Sequence, residues 1–145
     1  DGLGENQRAT VLMQGQCSKR ELLARHRSAV DRGVSSVIFG LASFAEGVDL
    51  PGDYCTQVVI TRLPFAVPDD PLAATLSEWV RAQGGDPFRD IALPDTARRL
   101  VQASGRLLRT EQDRGCITVL DGRLTGRRYG KQLLASMPNY RLLTS

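Results

Sequence analysis

Four short apolar runs, separated by amphipathic stretches, constrain this chain more than any other feature of it. The runs are Ala9-Thr10-Val11-Leu12-Met13, Ser36-Val37-Ile38-Phe39-Gly40, Gln57-Val58-Val59-Ile60 and Cys116-Ile117-Thr118-Val119-Leu120. They do not alternate polar with apolar residues, so they predict strands buried on both faces. Between them the apolar period changes to that of a helix. Ser18 and Glu21 form a capping box ahead of Leu22, Leu23, His26, Ala29 and Val30, with Gly33 as the stop. Asp70 and Pro71 open a second helix carrying Leu72, Leu76, Trp79 and Val80, ended by Gly84-Gly85. A third is expected from Pro94 to about Arg109, and a last one around Tyr129 to Ser136, closed by Pro138. Buried strands alternating with amphipathic helices predict an α/β fold on a mostly parallel sheet. At 145 residues the expectation is one domain, 1–145.

Length and charge narrow the function classes. A motor that both binds a nucleotide and moves along a polymer usually takes two domains of this size, and the chain opens at Asp1 without Met, so it reads as a piece of a longer protein. Nineteen Lys and Arg against sixteen Asp and Glu leave a formal +3, which permits contact with phosphates without requiring it. No apolar run approaches the roughly 18 residues needed to cross a bilayer and no signal peptide opens the chain, so a soluble protein without a membrane partner is expected. Cys17, Cys55 and Cys116 are odd in number and far apart, the pattern of reduced cytosolic thiols and not of a disulfide framework or a metal site.

Chemistry in such a fold sits at the carboxyl ends of the strands. Two segments there stand out: the loop from Leu41 to Gly52, dense in small residues and carboxylates, and Asp121-Gly122-Arg123. A third candidate lies on the helix from Pro94. At 100° per residue Ala97, Leu100, Val101, Ser104, Leu107 and Leu108 share the face turned to the sheet, and Gln102, Gly105, Arg106 and Arg109 share the opposite one. Exposed Arg and Gln are usually just solvated. A solvated face, however, usually mixes acids with its bases, whereas Arg98, Arg99, Arg106 and Arg109 lie in a stretch with no acid at all. Four arginines without a partner call for an anion, and a planar, permanently charged guanidinium suits phosphate oxygens.

Gln102-Ala103-Ser104-Gly105-Arg106-Leu107-Leu108-Arg109 matches the Q-x-x-G-R-x-x-R pattern of motif VI in superfamily 2 helicases, and Ser43 to Gly52 resembles motif V of their DinG/XPD-like branch. Leu63 to Pro68, Asp113-Arg114-Gly115, Asp121-Gly122-Arg123 and Tyr129-Gly130 follow in the order and spacing of bacterial DinG-type proteins. The resemblance runs from Ala9 to Pro138. It implies the second RecA-like domain of an ATP-dependent DNA helicase that moves on single-stranded DNA and unwinds duplexes in DNA repair or replication, in the bacterial cytoplasm. ATP and Mg²⁺ would be held mainly by a first RecA-like domain, since no phosphate loop or acidic box is present here. The strand that normally carries motif IV is absent or lies before Asp1. By the same resemblance Arg106 and Arg109 would be arginine fingers for the γ-phosphate, with Gln102 coupling that phosphate to the interface. Glu46, Gly47, Asp49 and Gly105 would lie by the nucleotide. Ser43 and Phe44 are candidates for the nucleic-acid track, with a core role for Phe44 equally open. Relatives often hold an iron–sulfur cluster on four cysteines of the first domain; the three here do not match those positions, and none is expected in this chain.

Blander roles fit the remaining residues. His26 is expected to pack, Trp79 to anchor its helix to the core, and Asp69 and Asp70 to cap a helix. Arg127, Arg128 and Lys131 read as a solvated face more readily than as a DNA contact, and Asp113-Arg114 as a turn. Two other functions stay open: a non-catalytic nucleic-acid-binding domain of RecA-like shape, and the helicase-like part of a fused nuclease.

Overall fold

The computed structural model describes residues 11–41, 44, 47–66, 71–107 and 113–143. By their contacts the residues group into two compact units, one of 1–57 with 106–116 and the other of 58–105 with 117–145.

The first unit is a βαβ crossover. Strand β1 (Val11–Met13) leads to helix α1 (Lys19–Asp31) and back to β2 (Val37–Phe39). The strands pair in parallel, Val11 with Val37, Leu12 with Ile38 and Met13 with Phe39. The expected cap is present: the Ser18 hydroxyl accepts the Glu21 N–H at 3.2 Å, satisfying one of the donors that the first turn leaves open. Leu22, Phe44, Val48 and Leu50 form the core, with Leu12, Leu23 and Ile38 packed against it. His26 is buried at 5% exposure. Its Nε2 bonds the Tyr54 carbonyl at 2.8 Å and its Nδ1 the Ser36 hydroxyl at 2.9 Å. A carbonyl only accepts, so the hydrogen sits on Nε2 and the ring ties α1 to the loop before β2 and to the 3₁₀ turn Gly52–Tyr54. The expectation that these strands are covered on both faces does not hold: Val37 and Phe39 are exposed on either side of inward-facing Ile38. A single crossover helix covers a single face, so the strand alternates.

The second unit holds β3 (Gln57–Ile60) and β4 (Cys116–Val119), which start at its boundary, with helices α2 (Pro71–Ala82), α3 (Leu93–Ser104), α4 (Arg123–Gly126) and α5 (Arg128–Ser136). β3 and β4 pair with each other. The Cys116 N–H bonds the Thr56 carbonyl and the Leu120 N–H the Ile60 carbonyl; both strands advance by four between these bonds, so the pair is parallel. The core is Leu63, Leu93, Leu100, Leu124 and Leu133. Gly130 is buried where α5 meets α4, and a Cβ there would strike the Leu124 carbonyl.

Two expectations fail in this unit. α2 buries none of its residues, and Trp79, expected as its anchor, is 61% exposed; an apolar stripe records what a helix can bury, not what is there to cover it. α3 opens at Leu93, beside Pro94 as expected, and a π-helical turn, Phe88–Ala92, runs straight into it. α3 also stops at Ser104 and does not continue to Arg109. Gly105 caps it with ψ near −6°, and the Ser104 hydroxyl bonds the Val101 carbonyl at 2.8 Å. A hydroxyl that bonds back into its own turn, followed by glycine, loosens the next turn of the ladder.

Candidate functional site

The loop after β2 is built by alternation. Gly47 stands at φ +69°, a left-handed turn that side chains resist, and the next residues alternate: Val48 and Leu50 bury into the core while Gly47 and Asp49 face solvent. Two arginines grip its backbone. Arg27 of α1 donates from Nη2 to the Asp49 carbonyl at 2.8 Å, and Arg106 donates from Nη1 to the Val48 carbonyl at 3.1 Å. The first unit therefore brings Gly47, Val48, Asp49 and Arg106 to one place. Lys19 joins them, its ammonium 5.2 Å from the centre of the Phe44 ring.

The site residues read from the sequence fare differently. Phe44 is 8% exposed in the core; it packs beneath the loop and offers no ring to a base. Arg106 is half-buried in the turn after α3, so it is neither on a helix nor turned away from its own unit, as the helical arithmetic had it. Gln102 is exposed on the last turn of α3, and Gly105 is half-buried as its cap. Ser43, Glu46 and Arg109 lie outside the described residues, as do Leu108, Asp69 and Asp70.

The idea of four unpartnered arginines needs correction at two of them. Asp95 receives Arg98 at 2.6 Å and Arg99 at 2.7 Å. Burial pushes the Asp95 carboxyl up, and the two guanidiniums outweigh that and hold it below the usual range. Asp95 precedes them by three and four residues, the spacing that pairs charges along a helix, and that was the signal to read. Arg106 differs: among the described residues its partner is a carbonyl and no carboxylate meets it.

Asp121 and Arg123 form a second polar centre, in the other unit. Asp121 Oδ2 accepts the Leu63 N–H at 2.9 Å and Arg123 Nη2 at 2.6 Å, and Oδ1 accepts Arg123 Nε at 2.9 Å. The Arg123 fork, then the Leu63 N–H, hold this carboxyl far below the usual carboxylate range. The guanidinium also lies 5.3 Å from the centre of the Phe65 ring. These bonds join the ends of β3 and β4, so the centre is a clasp. Among the described residues no group of three His, Cys, Asp or Glu could hold a metal ion, and no helix is long and apolar enough to cross a membrane.

The family model of the helicase C-terminal domain matches residues 2–140. The chain belongs to that family. Among similar helicase proteins, the ATP-dependent DNA helicase DinG of Photobacterium profundum is 40% identical over 139 residues, covering 96% of this chain and 20% of that protein. The ATP-dependent DNA helicase YoaA of Escherichia coli is 44% identical over 140 residues, covering 94% and 21%. YoaA of Haemophilus influenzae is 42% identical over 135 residues, covering 93% and 20%. This helicase domain thus spans about a fifth of the length of the curated relatives it matches.

Proposed function

We propose that this domain is the finger-bearing half of a bacterial ATP-dependent DNA helicase that moves on single-stranded DNA. The observation that carries the reading is Arg106, held against the Val48 carbonyl beside Gly47 and Asp49. A carbonyl fixes the direction of a guanidinium without cancelling its charge, so the cation keeps its attraction for an anion. In this reading Arg106, with Arg109 three residues on, stabilises the charge spread over the γ-phosphoryl of ATP bound to a first RecA-like domain of the same protein. Gln102 couples the phosphate to the interface, and Glu46, Gly47, Asp49 and Gly105 lie by the nucleotide. In this reading Mg²⁺ is held mainly by the first domain. Because Arg106 grips the loop after β2, a pull on the finger reaches Val48 and, through it, the core under the loop. Domain closure and opening then move the strand. Ser43 is retained as a DNA contact; Phe44 supports the loop from below.

The test compares ATP hydrolysis by this chain and by the full-length protein, each with and without single-stranded DNA. The chain alone hydrolyses nothing, and the full-length protein turns over in a DNA-dependent manner. Full-length protein without ATPase activity would favour the non-catalytic reading instead.

A further inference from the structure

Arg127, Arg128 and Lys131 are all exposed at the start of α5, and among the described residues none has an ion-pair partner. From Gly122 to the end of the sequence there is no Asp or Glu at all. The contrast within the same unit is sharp: Asp95 receives Arg98 and Arg99, and Asp121 receives Arg123. Helix geometry sets Arg128 and Lys131 about 60° apart, on one outward face, while Tyr129 between them turns inward to Phe65 and Phe88. These cations sit at the positive end of the α5 dipole, where carboxylates are favoured and cations repelled. A domain selected only for its own stability gains nothing from this arrangement.

The ground beside them is aromatic and basic. The Phe88 ring stacks on Phe65 at 5.9 Å, lies 5.3 Å from Tyr129, and is 41% exposed. Arg89 follows it, its side chain 80% exposed with a single long contact of 3.6 Å to Asp86. Arg89 and Gln132, one turn beyond Arg128, line the same shallow cleft. Unpaired cations along a helix beside an exposed ring suit a polyanion whose bases are unstacked.

We infer that the outer face of α5, with Phe88 and Arg89 beside it, binds single-stranded DNA: Arg127, Arg128 and Lys131 hold successive phosphates and Phe88 receives a base. The choice of DNA rests on the helicase reading above; the charge and ring geometry do not. Each lost phosphate contact lowers the slope of log affinity against log salt by about 0.7 for a single strand.

The experiment measures binding of a fluorescein-labelled oligothymidylate of about twenty nucleotides to this 145-residue chain over a series of salt concentrations, by anisotropy. Arg128→Ala with Lys131→Ala should weaken binding about tenfold or more at low salt and flatten the slope by about 1.4. Phe88→Ala should weaken binding and leave the slope unchanged, since it removes a stacking surface and no charge. Circular dichroism verifies that each variant is folded. Unchanged affinity and slope in the double variant would overturn the inference, as would a wild-type chain that binds no oligonucleotide at low salt. Binding to anionic phosphatidylserine vesicles as tight as to the oligothymidylate, and lost equally in the double variant, would overturn it too, by making the patch a general anion surface. None of these outcomes touches the ATPase reading, which fails separately, if turnover survives loss of Arg106.

Discussion

Asp121→Asn is the most informative perturbation of the second unit, because one carboxylate joins the ends of two strands whose sequence positions lie 58 residues apart. The wild-type carboxylate accepts from the Leu63 N–H and the Arg123 fork together. An amide of the same shape has one accepting oxygen and must turn its NH₂ toward one of those donors. Leu63 is buried at 4% exposure, so its N–H has little access to water, and a stranded donor of this kind costs about 1–3 kcal/mol. The expected loss near neutral pH is about 2 kcal/mol, read from urea unfolding followed by circular dichroism. The pH dependence gives a second check. The Asp121 carboxyl is held far below its unfolded value, so its stabilisation is complete above the unfolded value of about 3.9 and is lost as pH falls toward the depressed folded value. By pH 3 the wild type should have lost about 1 kcal/mol of this advantage, after allowing for screening at the exposed Arg123 side. The gap between wild type and variant should therefore narrow on acidification. A gap that is absent at neutral pH, or that widens below pH 4, would refute the clasp.

Three further outcomes follow from particular contacts. Gly130→Ala should destabilise the second unit by about 2 kcal/mol or more, seen as a lowered Tm, because a Cβ there meets the Leu124 carbonyl and not a side chain that can swing away; an unchanged Tm would mean that the two helices are not so closely packed. His26→Ala should cost about 2 kcal/mol in urea unfolding by removing both the Tyr54 carbonyl's donor and the contact to Ser36, with no effect on ATP turnover in the full-length protein beyond that of stability. Trp79 is the single tryptophan, so its fluorescence reports one place: iodide should quench it nearly as well as it quenches free tryptophan, and shielded, blue-shifted emission would contradict its exposure.

Much of the fold was legible because local chemistry alone decides it. Ser18 and Glu21 specify the start of α1 through an oxygen and an N–H that are neighbours in the chain, and the four strands among the described residues fall within the four apolar runs. Arrangements that depend on distant groups were not legible. The stripe of Leu72, Leu76 and Trp79 marks an amphipathic helix correctly, yet burial needs a partner surface that no local pattern specifies. Arg98 and Arg99 read as wanting an anion only because the acid-free window opens just after Asp95. Helical arithmetic carried past Ser104 put Arg106 on a face that the chain has left by then. The loop from Gly47 to Leu50 could be located from its residues, but the grip of Arg27 and Arg106 on its carbonyls could not, since a backbone oxygen has no letter in a sequence.

The central claim is that Arg106 acts on a phosphoryl group held by another domain, and steady-state ATP hydrolysis by full-length Arg106→Ala protein on single-stranded DNA tests it most directly. Turnover should fall by about 10³ or more while the thermal unfolding profile and oligonucleotide binding stay close to wild type. Turnover within a few-fold of wild type, in a folded variant that binds DNA normally, would contradict the account.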